Sequence, residues 1–106
     1  MPQVELKYSN NVKIEAKLVF DTIEDVINQC DSTAGACKSR AYSASEYKHK
    51  HILISIYLLK KPHRDEKFTK SLLNKLLQAV EKIIDDSCYF SLDVRYQGDY
   101  YVTTNI

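Results

Sequence analysis

"HILISIYLLKKPHRDEKFTKSLLNKLLQAVEKIIDDSCYFSLDVRYQ" (residues 51–97) changes its hydrophobic period twice, and those changes decide the fold. From Ile52 to Leu59 the residues form a continuous aliphatic and β-branched run, which suits a strand buried on both faces. Pro62 ends pairing. From roughly Asp65 to Ser87, Phe68, Leu72, Leu76, Val80 and Ile83 or Ile84 recur at helical spacing, with Leu73 and Leu77 thickening the stripe. "YFSLDVRYQ" (Tyr89–Gln97) then alternates with period two and turns Phe90, Leu92 and Val94 inward. Strand, helix, strand in that order is a βαβ unit.

The first half repeats the pattern without repeating the sequence. Val4, Leu6 and Tyr8 alternate with Gln3, Glu5 and Lys7, so the opening reads as a half-buried edge strand with Pro2 as its first residue. Ser9 to Asn11 supply turn and N-cap chemistry for a helix from roughly Lys13 to Cys30, whose apolar face is Val19, Ile23, Val26 or Ile27, and Cys30. Asp31 to Gly35 stop it. In "ACKSRAYSASEYK" (36–48) Lys38, Arg40 and Tyr42 share one strand face, and Cys37, Ser39 and Ala41 the other. "GDYYVTTNI" (98–106) forms a last edge strand or an arm.

The expected architecture is therefore α+β, a β-α-β-β-α-β two-layer sandwich. Four strands carry two helices on one face, in a single domain spanning residues 1–106. The other sheet face needs solvent or a partner. Eight tyrosines in 106 residues favour a partner.

Composition narrows the function classes. Fifteen Lys and Arg against 14 Asp and Glu leave a net charge of +1, which gives little basis for nucleic-acid binding. Cys30, Cys37 and Cys88 are odd in number and lack C-x-x-C spacing, against a disulfide framework and a thiolate zinc site. Lys38 beside Cys37 would lower that thiol's pKa, but no partner base is evident. No secretory leader and no membrane span is expected, so a cytoplasmic protein fits. His49 and His51, two residues apart on a strand, and His63 invite a metal reading. No acidic or thiol ligand stands at matching spacing, so no metal is expected.

Proline behind the initiator methionine, "YSNN" closing the first strand, "KSRAY" in the second, and Arg64 just before the second helix together resemble the tautomerase superfamily. The likeness is greatest to the 5-carboxymethyl-2-hydroxymuconate isomerases. That resemblance implies a homotrimer with sites at subunit boundaries and a cofactor-independent reaction. Its place would be aromatic catabolism. Pro2, freed by loss of Met1, would be the general base that moves a proton between carbons of a small di- or tricarboxylate. Burial and nearby cations would keep such an amine neutral. Arg40 and Arg64 would act with it, and Lys38, Arg40, Arg64 and Tyr42 would bind the substrate. The family's stretch reads Arg-Ser-Arg, with the first arginine functional. Lys38 stands at that position here, and its point charge lacks the two parallel bonds of a guanidinium.

Two other classes compete. A non-catalytic trimer would keep the scaffold and bind carboxylates or partners without turnover. An RNA-binding ferredoxin-like module would need aromatic residues on its middle strands, where Tyr57 and Tyr42 are all the sequence offers.

Overall fold

The structure, a computed structural model, describes all residues from Met1 to Ile106. Its elements run β1 (Gln3–Ser9), α1 (Ala16–Cys30), β2 (Lys38–Ala44), β3 (His51–Leu58), α2 (Glu66–Ile83) and β4 (Tyr89–Tyr96). The four strands form one sheet in the order β2-β1-β3-β4. β1 pairs parallel with β2, antiparallel with β3, and β3 pairs parallel with β4. Each helix thus crosses over between neighbouring parallel strands, and the two βαβ units meet along β1 and β3.

Alternation places the core. Val4 and Leu6 of β1 stand opposite Ile56 and Ile54 of β3, and all four are fully buried. Val19, Ile23 and Ile27 of α1 and Leu72, Leu76 and Val80 of α2 close over them, with Phe90, Leu92 and Val94 of β4 packed against the cluster. Gln3, Glu5, Arg40, Tyr42, Leu53 and Tyr57 line the opposite, uncovered face.

Several expectations need correction. β1 is central; the edges are β2 and β4. Pro2 tolerates this because the ladder begins at Gln3, while the Pro2 carbonyl still accepts from the Lys38 N–H at 2.9 Å. α1 begins at Ala16 rather than Lys13, with Glu15 as an N-cap that makes no side-chain bond. The Lys13 N–H is instead taken by the Asp86 carboxylate at 2.7 Å. α2 has the expected side-chain cap, Asp65 accepting from the Phe68 N–H at 2.8 Å. Leu73 is exposed and does not thicken the core stripe. β3 alternates between fully and partly buried residues, because helices cover only one of its faces. The segment after β4 adds no strand; it is an arm.

Candidate active site

The register collects one end of the sheet. Gln3 stands opposite Lys38 on one side and Tyr57 on the other, so the starts of β1 and β2 lie beside the end of β3. Pro2 is buried there, and Met1 is half exposed. A cavity of about 420 Å³ opens at this corner, lined by Met1, Lys38, Thr103, Thr104 and Asn105. With Met1 in place the Pro2 nitrogen is an amide. Removing Met1 leaves a secondary amine next to Lys38.

The arm reaches this corner through one polar relay. Gln3 Nε2 donates to the Tyr101 hydroxyl at 3.1 Å, and the Thr103 hydroxyl donates to the same oxygen at 2.9 Å. These two bonds, and the Arg40 charge, lower the Tyr101 phenol below its ordinary pKa. Gln3 Oε1 in turn accepts from Arg40 Nη2, which also bonds the Lys38 carbonyl at 3.2 Å. Sequence reasoning missed Gln3, Tyr101 and Thr103 to Asn105. Gln3 read only as a polar position of the first strand, and the arm residues belong to no periodic element, so only the tyrosine content hinted at them.

The other expected residues are placed as follows. Arg40 is on the uncovered face, where its Nη1 lies 3.9 Å from Glu5 Oε1. Tyr42 is two positions further along β2; its hydroxyl donates to Glu5 at 3.5 Å and its ring lies 5.9 Å from Lys7 Nζ. Neither lines the cavity.

Arg64 is a clear departure. The side chain is 2% exposed and is spent inside the protein: Nε donates to Asp31 Oδ2 at 2.8 Å, and Nη1 to the Leu59 carbonyl at 2.9 Å. It does not line the cavity. Its partner is not the neighbouring Asp65 or Glu66 but Asp31, at the C-terminus of α1. Asp31 also accepts from His63 Nε2 at 2.7 Å and from the Thr33 N–H at 2.9 Å. Burial alone would push this carboxyl up; the Thr33, His63 and Arg64 hydrogen bonds outweigh it and hold Asp31 well below the usual range.

His63 is thus an ion-pair partner. His51 Nδ1 donates to the His49 carbonyl at 2.7 Å, and His49 sits in a turn with φ of 63°, so the two rings are not aligned along a strand. Burial, then the Glu24 carboxylate, push the Cys37 thiol up to about 11, opposite to the shift expected from Lys38. No helix is long and apolar enough to cross a membrane.

No protein-family model and no curated protein sequence matches the chain. Solved structures do. A 5-carboxymethyl-2-hydroxymuconate isomerase from Deinococcus radiodurans R1 superposes with a TM-score of 0.73 over 98% of this chain and 88% of its own, at 15% identity. A 5-carboxymethyl-2-hydroxymuconate delta-isomerase gives 0.69 over 100% and 88%, at 16% identity. A fused 4-OT wild-type symmetric trimer gives 0.70 over 96% and 90%, at 14% identity. The chain has the tautomerase-superfamily fold. Within that tautomerase fold, the Met1–Lys38 cavity lies at the start of the first strand, where the sequence resemblance places the proline.

Proposed function

We propose that the chain is a cofactor-independent isomerase of the tautomerase superfamily, acting on a small unsaturated carboxylate in the cytoplasm. The observation that carries this reading is that Met1 and Lys38 line one cavity, so processing of Met1 exposes the Pro2 amine beside a cation. The Lys38 charge disfavours the ammonium form and keeps a lone pair available. That lone pair takes a proton from the carbon next to the substrate carbonyl. The C–H electrons become the enol double bond, and the carbonyl electrons move to oxygen. Lys38, with Arg40 two positions further along β2, stabilises the negative charge that develops. Return of the proton to a second carbon completes the isomerisation, and Pro2 is regenerated.

Dicarboxylates and tricarboxylates such as 5-carboxymethyl-2-hydroxymuconate are the substrates that the sequence resemblance suggests, in aromatic catabolism. The uncovered sheet face fits a homotrimer, in line with the symmetric trimer among the structures it resembles. Following an unsaturated enol acid by ultraviolet absorbance, with Met1 loss checked by intact mass, tests the mechanism. Pro2→Ala is expected to lower kcat/KM by about 10²-fold or more; equal rates would end the proline mechanism.

A second reading has its own observation. Lys38 replaces a guanidinium, and Arg40 is already compensated by Glu5, so the fold would serve as a trimeric carboxylate binder without turnover. Calorimetric binding without any absorbance change would favour it.

A further inference from the structure

Away from the Met1 corner, the helical layer carries a groove of about 390 Å³ where the end of α1 meets the start of α2. Lys67, Phe68, Ser71, Leu72 and Lys75 recur at helical spacing and share one face of α2 along it. Its floor is apolar. Leu72 is fully buried, and Phe68 and Cys30 pack partly buried against the core. Its rim is cationic. Neither Lys67 nor Lys75 makes an ion pair, whereas Lys70, outside the groove, is held by Glu66 at 2.8 Å.

The two cavities at the far end of the sheet lack this combination. Lys50, between His49 and Tyr89, is paired with Asp86 at 2.7 Å. The smaller cavity at Ile84 and Phe90 is walled by Glu81 and Asp86 and has no cation. The groove itself is asymmetric. Asp65 lines the end where Lys67 stands, and one of its carboxylate oxygens accepts from the Phe68 N–H at 2.8 Å. Lys75 lies roughly 10 Å beyond Phe68 at the rise of a helix, with no other carboxylate in the wall. An apolar floor that ends at an uncompensated ammonium suits an apolar chain carrying one acid group.

We propose that this groove binds a free medium-chain carboxylic acid, with its tail on Phe68, Leu72 and Cys30 and its carboxylate at Lys75. The distance from Phe68 to Lys75 is one that an extended octanoate covers. The proposal does not depend on the isomerase reading. The groove lies in the helical layer, so a second copy seated on the bare sheet face leaves it open.

The test titrates octanoate, hexanoate and octan-1-ol into the full chain, followed by NMR. The Phe68 ring stands T-shaped to His63 with centroids 6.1 Å apart, so the ring protons of both residues report a ligand on the floor. Octanoate should shift them saturably. Hexanoate, two methylenes shorter, should bind about tenfold more weakly, and octan-1-ol, without the charge, about fivefold more weakly. Lys75→Met should weaken octanoate about fivefold and leave octan-1-ol unchanged. Lys67→Met, beside the Asp65 charge, should change octanoate binding by less than about twofold. Ser71→Phe, at an exposed position, should fill the groove and abolish binding of all three.

Lack of saturable octanoate binding overturns the proposal, as does binding that leaves the Phe68 and His63 rings unmoved. Equal affinity for octanoate and octan-1-ol overturns the acid site at Lys75. The Met1 corner is separated by Lys38→Met, which should leave the octanoate shifts at Phe68 unchanged; their loss in that variant would place the acid at Lys38 and overturn the groove.

Discussion

At the scale of single residues, Asp31 shows how a charge can serve the fold instead of the ligand. Its carboxylate is 4% exposed and joins the C-terminus of α1 to the β3–α2 link through His63 and Arg64. Asp31→Ala would leave a buried guanidinium unpaired, and a loss of about 3–5 kcal/mol is expected in urea denaturation. The pH dependence has a definite sign. The folded-state pKa of Asp31 lies below its ordinary value near 3.8, so the folded protein binds fewer protons. Its contribution is complete above that value and is lost as pH falls toward the folded pKa. Asp86 behaves likewise, lowered to about 2 by the Lys13 N–H and by Lys50. Stability measured from pH 5 down to 2 should therefore fall, and Asp31→Asn should flatten the fall. Sequence alone located Arg64 correctly in the turn before α2 but could not see its partner. Asp31 read as a helix stop, and nothing in local spacing links residues 31 and 64. The place of Lys38 on its strand was legible because strand alternation is local.

At the scale of elements, α2 separates what periodicity says from what packing decides. Leu72, Leu76 and Val80 are fully buried, while Leu73 lies outside the stripe and is exposed. Leu76→Ala should cost about 2–5 kcal/mol by chemical denaturation. Leu73→Ala should stay within about 0.5 kcal/mol in the isolated chain, because it removes little buried area. Equal losses would show that Leu73 is covered by something absent from the single chain. The six elements and their order were readable because each keeps one period throughout. Their boundaries shifted where a tertiary bond intervened: the Lys13 N–H engages Asp86, and α1 starts three residues late. β1 was misplaced at an edge because a strand half-covered on one face has the same alternation in the middle of a sheet. The arm was the least legible element, since a relay through Gln3 and Arg40 has no sequence period.

At the scale of the whole molecule, the sheet has one covered face and one bare face on which Leu53 and Tyr57 sit among charges. If that face is the trimer contact, light scattering should give three times the 12.3 kDa chain mass. Leu53→Lys should then return it to one chain mass with unchanged helix content, and a monomeric native protein would remove the trimer. The order of the strands carries a further, kinetic consequence. None of the three strand pairs is a hairpin: Leu6 meets Ala41 and Ile54, and Ile54 meets Leu92. No ladder bond can therefore form without first closing a long loop, so the sheet has no local seed. The helices can flicker into existence early, but each becomes lasting only when distant strands arrive to receive its apolar stripe. Refolding is accordingly expected on the slower side for a chain of this length, with β1–β3 contact, the seam between the two halves, as the step that commits the chain.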